Sequence, residues 1–247
     1  MMTSSVHKEV TNMNIEAFIE ALGKQGIILS ERQLEQFEIY HRMLVEWNEK
    51  MNLTNILEKE DVYLKHFYDS LTLAFYHPLK DETLCDIGAG AGFPSIPLKI
   101  VFPDIQVTIV DSLNKRITFL NALFEALDLV NVQAVCARAE EYCKEHREAF
   151  DIVTARAVAR FEILDELCLP LVKIGGYFIS LKGASGQEEY EAAKSGIVKL
   201  GGKLEESHAF TLSSQGDKRI NFYIQKVIKT PLKYPRMYAK IKKSPLK

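Results

Sequence analysis

The stretch LCDIGAGAGFPSIPL, residues Leu84 to Leu98, decides how the chain is to be read. It opens as an apolar, strand-like run, places glycines at 88, 90 and 92, and sets Pro94 and Pro97 where a helix should begin. A strand, a glycine-rich turn and a helix, followed by an acid roughly 20 residues later, fit two cofactor classes: dinucleotides and S-adenosylmethionine. The spacing separates them. A dinucleotide fingerprint starting at Gly88 needs its third glycine at position 93, which is Phe93. A pyrophosphate must also sit on backbone amides at the helix start, and Pro94 and Pro97 lack that donor. S-adenosylmethionine has no phosphate. Bare backbone can lie against its amino-acid moiety and sulfonium, and Asp111 stands where it could accept both ribose hydroxyls.

The rest of the chain supplies the sheet around this turn. After Pro78, short β-rich runs alternate with helical stretches: Thr83–Ile87, Gln106–Val110, Val132–Cys136, Asp151–Ala155 and Tyr177–Leu181. That rhythm predicts a parallel sheet wrapped by helices. LEESHAFTL and INFYIQKVI then follow each other across a glycine-containing turn, which predicts an antiparallel hairpin closing one edge. The expected fold is thus an α/β, Rossmann-like, mostly parallel seven-stranded sheet. Upstream, the pattern is helical. Ser30 and Gln33 form a capping-box pair, and Leu34, Phe37, Tyr40, Leu44 and Trp47 recur at helical spacing; a second stripe, Leu64, Phe67, Leu71 and Phe75, ends at Pro78. The chain divides into a helical region (1–80), the sheet domain (81–230) and a basic tail (231–247).

With 247 residues, 47% of them apolar, the chain can bury a full core. The opening residues MMTSSVHKEVTNMN lack the charged and then apolar segments of an export signal, and no apolar run has bilayer length, so a cytoplasmic location is expected and no membrane partner. The four cysteines form no C-x-x-C pair and have no histidine at metal-ligand spacing; neither a metal site nor a disulfide framework is expected. Net charge is −2, yet residues 226–247 hold eight Lys or Arg and no acid, leaving 23 cations against 33 acids elsewhere. Such a tail lets an acidic protein hold a polyanion, or is simply solvated.

In an open sheet, ligands bind outside the carboxyl ends of the strands. Those ends carry Gly88, Gly90 and Gly92; Asp111; Arg138, Ala139 and Glu140; Arg156; and Lys182 with Gly183. Each has an ordinary explanation alone, such as a turn, a helix cap or a surface ion pair. Their convergence on one edge points to a site.

In order along the chain, WNEKMNLTNI, HFYDSL, DIGAGAGFPSIPL, DSLNKRITFL, NVQAVCARAEEY, FDIVTARAVA and LKG resemble the glucose-inhibited division protein B family, the RsmG type of methyltransferase. The resemblance spans Trp47 to Gly183. It implies a class I S-adenosylmethionine-dependent fold with an N-terminal helical extension, and an enzyme that methylates N7 of one guanine in 16S ribosomal RNA. Carried over by motif, cofactor contacts fall on Gly88 and Phe93, on Asp111 and Ser112, on Ala139 and Glu140, and on Arg156; the bare backbone of the turn adds Gly90 and Gly92 to the expected cofactor contacts. Where the family usually has glycine after its Phe-Pro pair, this chain has Ser95.

The chemistry agrees with what is missing. Methyltransferases acting on exocyclic amines usually place an acidic or Asn plus Pro-Pro motif after the fourth strand, where this chain has TARAVA, and those acting on pyrimidine C5 need a cysteine nucleophile there. A guanine N7 has its lone pair in the ring plane and loses no proton, so positioning is the main catalytic term and no general base is expected. Arg138, Arg156 and Lys182 are the candidates for gripping phosphates or the base. Lys115 and Arg116, in a first helical turn that disfavours cations, either touch phosphate or pair with acids such as Asp111. Asn52, Asn55, Lys65, His66 and Asp69 fall in the helical region, where Lys65 and Asp69 have the spacing of a surface pair; the resemblance makes that region one wall of the substrate cleft. The expected partner is 16S ribosomal RNA or the small subunit, with the protein a monomer. Two further readings stay open on the residues alone: a methyltransferase of this fold acting on a small molecule or protein, and a non-catalytic RNA-binding assembly factor.

Overall fold

A computed structural model describes residues 13–213 and 216–246. Most of the N-terminal segment read for an export signal, the tip of the hairpin turn and the last residue of the tail lie outside the described residues.

Asn14 caps α1 (Ile15–Gly23) by accepting from Ala17 N–H, and Ser30 caps α2 (Glu31–Met51) with the full reciprocal box to Gln33. Such caps contribute about 1 kcal/mol each by satisfying amides the helix cannot. A continuous helical run follows: α3 (Lys59–Val62), a π turn (Tyr63–Tyr68), α4 (Asp69–Leu71) and a 3-10 turn (Thr72–Phe75). The apolar stripe read from sequence is there, with Leu64, Phe67 and Leu71 all buried. The π turn within it was not expected.

The sheet strands are β1 (Thr83–Ile87), β2 (Gln106–Asp111), β3 (Val132–Cys136), β4 (Phe150–Arg156), β5 (Val172–Lys182), β6 (Gly202–Thr211) and β7 (Lys218–Lys226). Their order is β3-β2-β1-β4-β5-β7-β6; the first five are parallel, and β7 pairs antiparallel with both β5 and β6. Central β1 is buried at four of its five residues, as a strand covered on both faces must be. The helices are α5 (Ser95–Val101), α6 (Asn114–Ala126), α7 (Ala139–Tyr142), α8 (Phe161–Cys168), α9 (Gly186–Lys199) and, in the tail, α10 (Tyr238–Lys243).

Two cores lie on opposite faces. One joins the N-terminal helices to α5, α6 and the sheet, and the other gathers α7, α8, α9 and the tail. In the first, Phe18, Phe37, Tyr63 and Phe67 form a ring cluster with centroids 4.9–6.5 Å apart. Side-chain amides stitch α2 to the sheet layer: Gln33 donates to the carbonyls of Ile100 and Val101, and Gln36 to that of Leu127. The helical region is therefore built into the same packing as the sheet.

Strand order reverses at β1, between β2 and β4. The crevice for a ligand opens there, above the carboxyl ends of β1 and β4.

Candidate functional site

A cleft of about 460 Å³ occupies that crevice, within the range of small-ligand sites. The residues after β1 form its floor: Gly88, Ala89, Gly90, Ala91 and Phe93. Gly90 has φ +62°, and a Cβ built on it would meet nothing within 4 Å, so its bare Cα faces the open cleft. Gly92 differs. It does not line the cleft, and a Cβ there would lie 2.8 Å from Ile96 and 2.9 Å from the Tyr40 hydroxyl. Its glycine is required by packing against α2 and α5, so the expected cofactor contact at Gly92 gives way to a supporting one. Tyr40 secures the loop by donating to the Ala91 carbonyl at 2.6 Å and stacking on Phe93.

The start of α5 has no donor left for a phosphate. Ser95 N–H donates to the Asp86 carboxylate at 3.1 Å, Ile96 N–H to the Gly92 carbonyl, and Pro94 and Pro97 have none. A carboxylate thus already faces that helix end. Asp86 is fully buried in β1, and burial pushes its pKa up to about 7. Sequence reading passed over it, although an acid inside a strand buried on both faces is a signal in itself.

At the end of β2, Asp111 Oδ1 accepts from Leu113 N–H at 3.0 Å, while Oδ2 accepts from Arg116 at 2.9 Å and Gly90 N–H at 3.3 Å. Arg116 therefore pairs with Asp111, and Lys115 donates to the Met51 carbonyl. Ser112, Arg138, Ala139 and Glu140 complete that side of the cleft. Arg138 is exposed. Across the cleft stand Arg156, Ala157 and Val158, with Ala157 held at φ +56°, an unfavourable conformation for a residue with a Cβ.

The helical region forms the remaining wall through Leu53, Thr54 and His66. His66 lies on the π turn, stacked on Phe93 with centroids 4.4 Å apart. Arg156 donates to its Nδ1 at 3.2 Å, so Nε2 carries the proton and donates to Thr54 Oγ1 at 2.9 Å. Burial, reinforced by the Arg156 charge, holds its pKa down at about 3. Arg156 also donates to the Lys65 carbonyl and to Asp69 at 3.0 Å, and its guanidinium lies 5.1 Å from the Phe93 ring centre. Asp69 takes a second arginine, Arg219 of β7, at 3.3 Å. The expected Lys65–Asp69 pair is not formed: Lys65 turns to Asp61 at 3.0 Å, because Asp69 faces inward between two guanidinium groups. Asn52 caps α2 in the left-handed conformation and Asn55 is exposed.

Lys182 is also a correction. It does not line the cleft; its ammonium is held 2.9 Å from Glu189 and 2.8 Å from the Ala159 carbonyl. An ion pair at 8% and 13% side-chain exposure keeps it fastening the loop after β4. The structure thus brings Gly88, Gly90, Phe93, Asp111, Ser112, Arg138, Ala139, Glu140 and Arg156 to one cleft, and leaves Gly92 and Lys182 outside it. Thr54, Leu53, Val158 and Leu167 line it without having been singled out in sequence, and Tyr238, expected only as an aromatic of the RNA-binding tail, lines it too. Among the described residues no group of three or more His, Cys, Asp or Glu could hold a metal ion, and no helix is long and apolar enough to cross a membrane.

The cleft fits S-adenosylmethionine: an open glycine floor, a carboxylate at the end of β2, and no phosphate cradle. When bound, that cofactor supplies an electrophilic methyl group. The residues that would hold it are Gly88 and Gly90 below, and Asp111 and Ser112 with the neighbouring Ala139 and Glu140 at one side.

Comparison with known proteins agrees with this geometry. The family model described as rRNA small subunit methyltransferase G matches residues 33–222. Proteins named Ribosomal RNA small subunit methyltransferase G from Bacillus velezensis and Bacillus subtilis are 59% and 58% identical over 237 residues, covering 95% of this chain and 99% of theirs. Among solved structures, M. jannaschii TYW2 in complex with AdoMet shares the fold, with a TM-score of 0.54 and 16% identity over 66% of this chain and 76% of that one.

Proposed function

Because the chain belongs to the rRNA small subunit methyltransferase G family, and so is an S-adenosylmethionine-dependent methyltransferase of small-subunit ribosomal RNA, we propose that the atom it methylates is N7 of one guanine in 16S RNA. The observation that supports this choice is the state of His66. Among the described residues it is the one imidazole lining the cleft, its Nδ1 lone pair already accepts from Arg156, and burial keeps it neutral. Of the cleft carboxylates, Asp111 is committed to Arg116 and two backbone amides, and Glu140 is buried at the start of α7 on the same side of the cleft as Asp111, with His66 and Arg156 on other walls. A cleft whose imidazole and β2 carboxylate are both already engaged suits a nucleophile that carries its own lone pair. The chain's work is then to bind and orient: His66, backed by the buried Phe93, offers a flat ring for a base, Arg156 a charge beside it, and Arg138 a cation at the rim. We assign the enzyme to the cytoplasm, where its RNA substrate is, and take it to be a monomer; gel filtration checks the oligomeric state. Tritium transfer from labelled S-adenosylmethionine to naked 16S RNA and to assembled small subunits, followed by mapping of the label, tests the reading; label on an exocyclic amine or a pyrimidine would overturn it.

With saturating cofactor and RNA, single-turnover transfer is expected to be nearly flat from about pH 6 to 9. His66, with its pKa near 3, stays neutral throughout that range. Asp86 titrates near pH 7, but it does not line the cleft and acts on stability. Its pKa is raised on folding, so the native state binds the extra proton, and stability falls as pH rises from about 4 to 7 and then levels. A rate that climbs through pH 7 in single turnover would reveal a general base.

The tail is expected to add RNA affinity and no chemistry. Lys226 and Arg236 are consumed internally, by the Leu169 carbonyl with Thr230 and by Glu166, whereas Lys240, Lys242 and Lys243 are exposed on α10. Changing those three lysines to serine should weaken RNA binding and flatten the fall of log K with log salt, by up to about 0.7–0.9 for each phosphate that is no longer neutralised. S-adenosylhomocysteine affinity should not change. An unaltered salt slope would leave the tail cations merely solvated.

A further inference from the structure

The tail does more than carry charge, because it is fastened along its length. Arg147 donates to the Tyr234 carbonyl and, at 2.8 Å, to that of Thr230. Thr230 N–H donates to Glu148. Arg236 makes a two-pronged pair with the fully buried Glu166 of α8, at 2.6–3.1 Å. Ile241 is fully buried, and Leu246 packs against α9 at Gly196, where an added Cβ would come within 3.0 Å of it. Residues 226–246 therefore form a strap across α8 and α9.

The strap ends at the cleft. Tyr238, the first residue of α10, lines it together with Leu167 of α8 and with Ala139 and Glu140 of α7. Its ring is half-buried against the core cluster that contains Ala139, Tyr142, Leu164 and Leu167. This is the end farthest in sequence from the glycine floor, beside the carboxylate that suits a ribose. Among the described residues lining the cleft, Tyr238 alone lies beyond residue 222, where the family match stops. An aromatic face at that place, next to backbone of a first helical turn, has the chemistry to cover a purine.

We propose that Tyr238 is a cofactor-binding residue: the C-terminal strap supplies the wall over the nucleoside end of the cleft, so that cofactor binding and strap docking stabilise each other. This rests on the reading of the cleft as an S-adenosylmethionine site. Reciprocity follows from linkage, since a ligand that touches only the docked strap must favour docking by the same factor by which docking favours the ligand.

The test uses the full chain and S-adenosylhomocysteine. Tyr238→Phe keeps the ring, and Tyr238→Leu keeps apolar bulk without an aromatic face. Calorimetry should show Tyr238→Phe binding like the parent and Tyr238→Leu binding roughly ten-fold or more weakly, the scale of an aromatic stack on a base. Limited trypsin digestion gives a second readout, through the exposed Lys240, Lys242 and Lys243. S-adenosylhomocysteine should slow cleavage there in the parent and much less in Tyr238→Leu. Equal affinity in both variants and the parent, or strap cleavage indifferent to ligand, overturns the proposal. A parent chain that does not bind S-adenosylhomocysteine overturns the cofactor reading beneath it.

Discussion

Gly90→Val is expected to weaken S-adenosylhomocysteine binding by about 100-fold or more, equivalent to about 2.7 kcal/mol, while the protein stays folded. The Cα of Gly90 faces open cleft, so valine's branched side chain meets no protein atom at its Cβ and enters the ligand's space instead. The left-handed φ of +62° adds a cost of its own, about 1–2 kcal/mol for a residue with a Cβ, which a domain of this size tolerates. Gly90→Ala should lie between, with the same backbone strain and less intrusion. Gly92→Val separates site from scaffold: its Cβ would strike Ile96 and Tyr40, so the melting temperature should fall before affinity does. Calorimetry beside thermal melting distinguishes the two. Undiminished binding by a folded Gly90→Val protein would remove the glycine floor from the site.

Asp69→Ala is expected to be the costliest single change in the cleft wall, destabilising by about 3 kcal/mol in urea denaturation and sharply slowing methyl transfer. Asp69 is 5% exposed at its side chain and balances both Arg156 and Arg219, themselves 13% and 22% exposed. Removing it leaves two guanidinium groups close together without their counter-ion and frees Arg156 from the geometry that holds His66. Adding Arg219→Ala to Asp69→Ala should recover part of the stability, because one of the stranded charges is then gone. It should not recover the rate, since Arg156 still lacks its partner. Independent, additive effects in that cycle would show that the three charges are not coupled.

How far the sequence could be read depends on whether a feature is local. β1 and β3 match the expected runs residue for residue, because apolar strands bounded by turns announce themselves. β5 begins five residues earlier than expected, at Val172. Its Gly175–Gly176 pair reads as a turn, yet the chain stays in the sheet there through a register irregularity, and a Cβ on Gly176 would lie 2.4 Å from the Asp151 carbonyl oxygen. The strand-end residues of the cleft were legible because sheet topology alone brings them together. Lys182 and Lys65 were misplaced because their ion partners were decided by which way each side chain turns, toward Glu189 and Asp61. The π turn that presents His66 and the strap that delivers Tyr238 depend on packing between distant segments, and no periodicity records either.

The position of β7 has a consequence for the birth of the molecule. β7 lies between β5 and β6, so β6, although synthesised first, can join the sheet only through a strand that has not yet been made. Until then the growing chain carries β5 as an open hydrogen-bonding edge and β6 as an unpaired amphipathic ribbon, a combination prone to wrong partners. Vectorial synthesis therefore leaves β5 and β6 waiting on β7, and their open edges close only once the chain has been made through Lys226.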